Sequence, residues 1–444
     1  MINFPESLLE QLCCAGNFDA NAFLEAHEPK HLLTSIRLNS FKPVAPDFEV
    51  NDPVAWYPDA FYLNNRPYFT HDPLFHAGAY YVQEAGSMFI GHALKQLLNL
   101  SESIIVLDAC AAPGGKSTLL NSLLNESSLL VSNEVVKSRA DILTQNLSRW
   151  GTANTLVTNN YPEKFTQLTH LFDAIVVDAP CSGSGLFRKQ PEAINEWSPQ
   201  AVSACELRQK NILTALLPAL KRDGILVYST CSFSAEENEA VVQWLMQEHR
   251  MEICPVYCNA IWGIVSSEFG YRFYPHLTKS EGFFCCMLRK TEGDGSHSKS
   301  NKLAQTLTKN EAEMCRPFVH EKNNKLHQIN GRIHLLNEAA LTFLNKYDKH
   351  FYFKKAGVLI GELKNKDFVP HQELAWSINR QSDVFTIELS RENALRYLKK
   401  ENPELVNQSK GLVLFTYKKL GLGWAKILDN RINNYLPNEL KILR

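Results

Sequence analysis

The sequence predicts a doubly wound α/β domain across its middle, and two observations carry that reading. Six short apolar runs alternate with stretches of helical periodicity between Ile104 and Lys290. A glycine-rich loop follows the first of those runs and opens the first helical stretch. Short apolar runs bounded by turn residues suit buried strands of a parallel sheet, and strands alternating with helices suit an open sheet covered on both faces.

In chain order, the predicted strands are Ile104–Leu107, Leu129–Val131, Thr155–Val157, Ala174–Val177, Ile225–Tyr228 and Phe283–Leu288. Helical periodicity fills the gaps at Lys116–Leu124, Lys137–Trp150, Glu206–Lys221 and Glu236–Arg250. Ser234 and Glu237 stand three apart before the last helix, the spacing of a capping box. Ligands of such sheets bind beyond the carboxyl ends of the strands. Chemistry is therefore sought in the residues just after each strand.

The chain has 444 residues, which suggests two to four domains, with 45% hydrophobic and 21% charged residues, an ordinary globular balance. Met1–Leu12 lacks a basic start followed by an apolar run, so no signal peptide is expected. No stretch has the length of a membrane span, and the expected setting is the cytoplasm, with no membrane partner. Eleven cysteines show neither the spacing of a disulfide framework nor that of a zinc site; no metal is expected, and most should be reduced and buried.

A net charge of −1 conceals an asymmetry. Residues 301–444 hold 24 Lys+Arg against 15 Asp+Glu, which leaves 22 and 32 for the rest of the chain. A basic C-terminal third suggests a polyanionic partner. The polar stretch Thr291–Lys302 falls where the sign changes and reads as a linker. The expected organisation is an N-terminal α/β domain at 1–80, a catalytic domain at 81–290, the linker at 291–302, a connecting region at 303–375 and a C-terminal domain at 376–444.

The loop after the first strand runs Asp108, Ala109, Cys110, Ala111, Ala112, Pro113, Gly114, Gly115, Lys116. Two glycines let a ligand approach the backbone, and the following helix offers free N–H groups. A phosphate-binding P-loop would need Gly where Cys110 stands, and the dinucleotide pattern GxGxxG is absent. Glu134 ends the second strand, where a carboxylate can accept from both hydroxyls of a ribose. Asp178 and Cys181 follow the fourth strand; Cys231 follows the fifth. A single strand-end cysteine is more often a packing residue. Two on neighbouring strand ends beside a cofactor loop point to thiol chemistry.

These segments resemble the Nop/Sun family of RNA cytosine-5 methyltransferases. The resemblance rests on Tyr81–Ser87, on 108–118 (DACAAPGGKST), on 172–185 (FDAIVVDAPCSGSG), on 226–241 (LVYSTCSFSAEENEAV) and on the closing segment Tyr271–Lys290. It implies a Rossmann-like core that takes S-adenosylmethionine. Cys110, Ala111, Ala112, Pro113, Gly114, Gly115, Lys116 and Glu134 would hold that cofactor, and Asp178 would lie between it and the target base. Cys231 would attack carbon 6 of cytosine and Cys181 would assist release. The family usually has Asp after the third strand where this chain has Thr158, Asn159, Asn160 and Tyr161, so Asn160 or Tyr161 would take the adenine side. The family often has Arg-Lys-Asp-Pro where this chain has Arg188, Lys189, Gln190 and Pro191.

The flanks resemble family elements too. His31–Ser40 looks like the Arg-Leu-Asn segment of a small N-terminal α/β domain. The segment from Gly421 to Pro437 looks like the PUA-like RNA-binding end of bacterial members that methylate small-subunit ribosomal RNA. The expected partner is therefore RNA, as ribosomal RNA or a small ribosomal subunit, met by a monomer. Arg188, Lys189, Trp424 and Lys426 are candidate RNA contacts, with Lys418, Lys419 and Arg431 as further phosphate contacts. Trp56, Tyr57, Phe61, Tyr62, Trp376 and Tyr417 would stack on bases or, more in keeping with aromatic habit, pack in cores.

Three other readings compete. A P-loop nucleotide hydrolase is opposed by Cys110 and Pro113. A vestigial RNA-binding fold is opposed by the intact loop, Asp178 and both cysteines. A DNA cytosine-5 methyltransferase would use Cys181 as nucleophile, and the extra Cys231 and the basic C-terminal third favour RNA.

Overall fold

The computed structural model describes residues 4–14, 18–293, 304–364, 367–405 and 410–443. The linker predicted at Thr291–Lys302 lies for the most part outside them. Five parallel strands form the centre of the chain: β1 (Ile105–Asp108), β2 (Leu129–Asn133), β3 (Thr155–Thr158), β4 (Phe172–Asp178) and β5 (Leu220–Thr230). Two further strands, β6 (Gly270–Phe273) and β7 (Phe283–Lys290), pair antiparallel with each other, and β7 pairs antiparallel with β5. The order across the sheet is β6-β7-β5-β4-β1-β2-β3. The order reverses between β1 and β4, the switch point at which such sheets bind ligands.

The central strands are apolar throughout because both faces are covered: Val106, Leu130, Val131, Ile175, Val176, Leu226 and Val227 are all at most 1% exposed. Each such side chain stabilises the fold by roughly 1.5–3 kcal/mol relative to leaving it in water. Helices α1 (Gly115–Leu123), α2 (Lys137–Trp150), α3 (Pro199–Leu216) and α4 (Glu239–His249) flank the sheet.

Several expectations shift. Phe283–Leu288 was expected in a parallel sheet and runs antiparallel, as a β6–β7 pair with a short connection requires. The helix expected at Glu206–Lys221 begins seven residues earlier, where Ser198 caps it and Pro199 sits at its start, and it stops before Pro218. Lys221 then belongs to β5. The capping box at Ser234 and Glu237 does not form: the helix starts at Glu239, and Glu237 is turned inward and fully buried. A strand from the connecting region, Phe353–Ala356, adds antiparallel to the β3 edge. The alternation pattern did not reveal it, since it arrives from about 200 residues downstream.

The N-terminal part forms a four-stranded antiparallel sheet (Thr34–Leu38, Pro53–Val54, Tyr57–Leu63, Tyr80–Val82) fixed to the core. Arg37, fully buried, donates from Nε to Gln83 Oε1 at 2.9 Å and from Nη2 to Thr118 Oγ1 on α1 at 2.6 Å, and its guanidinium lies 4.6 Å from the Trp150 ring. C-terminal to the core lie a five-stranded sheet and a four-stranded sheet; the latter contains Gly411–Tyr417 and Leu420–Ile427. Its Val413 and Phe415, with Leu436 just beyond its last strand, share one apolar cluster with Ile36, Leu74 and Tyr80 of the N-terminal part.

Helices Glu6–Cys14 and Ala20–Ala26 cover the loops that follow β4 and β5, with Phe4, Phe23, Phe187, Phe233 and Tyr274 in one cluster. His27 sits in it, 1% exposed, with Nδ1 2.7 Å from the Phe23 carbonyl, and burial lowers its pKa to about 4. Burial likewise lowers His76 to about 4. Both imidazoles titrate near 6.5 when unfolded, so their contribution is full above pH 6.5 and is lost as pH falls toward 4, on the order of 2–3 kcal/mol each. A His27→Asn/His76→Asn variant is expected to lose melting temperature less steeply than the native protein between pH 6.5 and 4.5. Parallel curves in a thermal scan would refute this.

Candidate active site

The strand order places three of the predicted residues together. Asp178 is the last residue of β4, Cys181 lies three residues beyond it, and Cys231 directly follows the neighbouring β5. The two sulfurs are 3.1 Å apart, within the reach of one thiol donating to the other. Both cysteines are half-buried.

The loops that carry them are tied at several points. Gly185 N–H donates to the Cys231 carbonyl at 2.8 Å, and Gly282 N–H donates to the Gly185 carbonyl at 2.9 Å. A Cβ on Gly185 would stand 2.5 Å from the Gly282 oxygen and 2.7 Å from the Cys231 oxygen, so the close approach requires glycine. Phe233 N–H donates to Ser184 Oγ at 2.8 Å.

Asp178 is bound on both oxygens: Ser229 Oγ donates to Oδ1 at 2.8 Å, and Lys116 Nζ lies 2.7 Å from Oδ2. Lys116 thus reaches from the glycine loop across to β4. Its pKa is raised: burial alone would lower it, but Asp178, Asp108 and Cys231 together outweigh that. The ammonium therefore sits on the Asp178 carboxylate. The hydrogen bond with the Cys231 sulfur and then burial push the Cys181 thiol up, with the Glu237 carboxylate adding in the same direction.

The glycine loop is held from α2. Arg139 donates to the Ala112 carbonyl at 2.9 Å and Asn146 to the Pro113 carbonyl at 2.8 Å. Gly114 has φ +114, a left-handed conformation that precedes the start of α1. Asp108 is fully buried; Ser117 donates to its Oδ2 at 2.6 Å, and Oδ1 has no partner. Burial raises its pKa to about 7. Glu134 ends in a buried carboxylate that accepts from Val136 N–H at 2.9 Å and has Arg139 at 3.8 Å. An orphaned carboxylate oxygen, a second carboxylate beyond β2 and a glycine cradle between them fit a nucleoside-bearing cation such as S-adenosylmethionine.

Cys110 is pushed well up by burial and by the carboxylates of Asp108, Asp178 and Glu134, so it is a wall of the loop and no thiolate. Asn160 is half-engaged: its amide donates to the Tyr352 carbonyl at 3.2 Å and accepts from Tyr352 N–H at 3.1 Å. The connecting region therefore occupies the Asn160 amide, while Tyr161 is 72% exposed beside it.

Two expected RNA contacts are corrected. Arg188 is 3% exposed: it pairs with Glu281 at 3.0 Å and donates to the carbonyls of Ala26, His31 and Ser280, which takes four of its five N–H groups. It braces the loop after β4 and is buried away from a phosphate in solvent. Trp424 is 1% exposed, with its indole N–H donating to the His371 carbonyl at 2.9 Å. Trp56, Tyr57, Tyr62, Trp376 and Tyr417 are core residues as well. Lys418 pairs with Asp47. Lys189 and Lys426 are exposed.

Sequence reasoning missed Glu237, Gln209 and the serines beside the cysteines. The Glu-Glu-Asn-Glu run after Cys231 held a signal, but helical spacing assigned it to a cap. Among the described residues no cluster of His, Cys, Asp and Glu could hold a metal ion, and no helix is long and apolar enough to cross a membrane.

Residues 95–289 match the family described as 16S rRNA methyltransferase RsmB/F, residues 4–85 the N-terminal domain of 16S rRNA methyltransferase RsmF, and residues 384–442 the methyltransferase RsmF PUA domain. The chain is 31% identical to ribosomal RNA small subunit methyltransferase F of Shewanella woodyi, covering 94% of this chain and 92% of that one. The protein of the same description from Escherichia coli is 28% identical, with 99% and 97% covered. Among solved structures, a methyltransferase homolog from Pyrococcus horikoshii is 30% identical with a TM-score of 0.52, covering 64% of this chain and 99% of that one. NSun6 from Pyrococcus horikoshii, solved with SFG, shares the fold at 20% identity and a TM-score of 0.54, with 66% and 100% covered.

Proposed function

The chain belongs to the RsmB/F family of 16S rRNA methyltransferases, with the N-terminal and PUA domains of the RsmF type, and from that premise we propose that it methylates carbon 5 of a cytosine in small-subunit ribosomal RNA through a covalent cysteine adduct. It is an RNA methyltransferase that uses S-adenosylmethionine. The observation that carries the adduct is the contact of the Cys181 and Cys231 sulfurs beside the Lys116–Asp178 pair.

S-adenosylmethionine, when bound, supplies an electrophilic methyl group. The 110–116 loop, the buried Asp108 and Glu134 would hold it at the switch point. Cys231 is the nucleophile: its sulfur adds to carbon 6 and makes carbon 5 electron-rich, which splits one hard step into easier ones. Asp178, held by Lys116 and Ser229, accepts from the amino edge of the cytosine. Cys181 lies beside the adduct, and its sulfur, as the thiolate, takes the carbon-5 proton as the bond from carbon 6 to the Cys231 sulfur breaks, which releases Cys231. The target nucleotide leaves its stack to reach the pocket. Exposed Lys189 and Lys426 contact RNA phosphates, and the protein acts as a monomer in the cytoplasm.

Bisulfite sequencing of ribosomal RNA from cells lacking the protein is expected to reveal at least one cytosine that loses protection in the small subunit. Unchanged protection throughout ribosomal RNA would sink the proposal.

A further inference from the structure

The methyl-transfer scheme makes no use of Glu237, yet this carboxylate is fully buried and joins the two cysteine loops. Its Oε1 accepts from Ser182 N–H at 2.8 Å and from Gln209 Nε2 at 3.2 Å. Its Oε2 accepts from Ser182 Oγ at 2.5 Å and from Ser232 Oγ at 2.5 Å. Ser182 directly follows Cys181, and Ser232 directly follows Cys231. Gln209 on α3 also donates to the Pro180 carbonyl at 3.0 Å, the residue before Cys181. Tyr228 Oη on β5 lies 2.9 Å from Gln209 Oε1 and 2.5 Å from the Glu237 carbonyl, and its one proton can be given to either. One carboxylate thus bonds the residue after each catalytic thiol, and the network around it grips the residue before Cys181.

A buried carboxylate is costly unless its oxygens are satisfied, and here four donors satisfy it. We infer that Glu237 is a positioning residue that clamps the Cys181 loop to the Cys231 loop and so keeps the releasing thiol in contact with the attacking one. The inference rests on the proposed roles of the two cysteines. Its geometric content does not, because sulfur proximity is measurable without RNA. The clamp consists of hydrogen bonds, so the isosteric Glu237→Gln should keep most of it. One oxygen still accepts from Ser182 N–H, and the serine hydroxyls can turn to accept from the amide. Glu237→Ala removes it.

Two measurements test this in the full-length protein. The first treats protein with the thiol oxidant diamide, which is reduced as two thiols lose their protons and electrons to form one disulfide, and follows the Cys181–Cys231 peptide by mass spectrometry. Because proximity governs such a rate, Glu237→Ala should slow the linkage about tenfold or more, whereas Glu237→Gln should stay within about threefold of native. Equal rates in native protein and Glu237→Ala, or a glutamine variant as slow as the alanine one, would overturn the inference. The second follows methylation of small-subunit RNA. Glu237→Ala should lower steady-state turnover about 100-fold while the covalent protein–RNA species accumulates, a split that general loosening would not produce. Loss of adduct formation in parallel with turnover would count against the clamp. Melting temperatures monitor folding; if Glu237→Ala is unfolded, a Ser182→Ala/Ser232→Ala variant stands in under the same criteria. Slowed linkage in a protein whose Cys181→Ala variant never traps RNA would refute the function proposed above and leave the clamp standing.

Discussion

Cys231→Ala is expected to abolish methylation, by about 10⁴-fold or more, and to form no covalent complex with RNA. Cys181→Ala is expected to behave differently: it should attack carbon 6, pass the methyl group to carbon 5 and then stall, leaving protein–RNA adduct that survives denaturation. The two thiols touch at 3.1 Å, so distance does not separate their roles. The order, with Cys231 attacking and Cys181 releasing, follows the family resemblance of the segments that carry them. Gel analysis of both variants with radiolabelled RNA checks the assignment. Adduct in Cys231→Ala and none in Cys181→Ala would reverse the roles.

The legible parts of this site are those whose chemistry is local. The glycine loop, Glu134 and the two cysteines each announce themselves at the end of an apolar run. The sheet then brings β4 and β5 side by side, as strand alternation implied. What stayed illegible depends on partners far away in sequence. Arg188 looked like a free cation because Glu281 and the carbonyls of Ala26 and His31 are distant along the chain. Trp424 looked like a stacking platform because burial by His371 and Phe318 is not written in its own strand. Glu237 was lost to a competing local pattern. Three-residue spacing from Ser234 suggested a cap, but tertiary demand from Ser182, Ser232 and Gln209 drew the side chain inward and delayed the helix to Glu239.

Lys116 and Asp178 form the pair whose loss should next most affect the rate, and the two partners should fail in distinguishable ways. Lys116→Met removes the cation that holds Asp178 Oδ2 at 2.7 Å and leaves the carboxylate on its Ser229 bond alone. The carboxylate can still accept from the cytosine edge, so we expect kcat to fall about 10–100-fold through lost orientation. Asp178→Asn removes the acceptor itself, and its loss of rate, about 10²–10³-fold, comes from the cytosine edge, since an amide cannot replace a carboxylate that accepts on both oxygens. If Lys116 acts through Asp178, the double variant is no slower than Asp178→Asn alone. Single-turnover rates for the three variants decide the matter: losses that multiply would show that Lys116 has a role apart from Asp178.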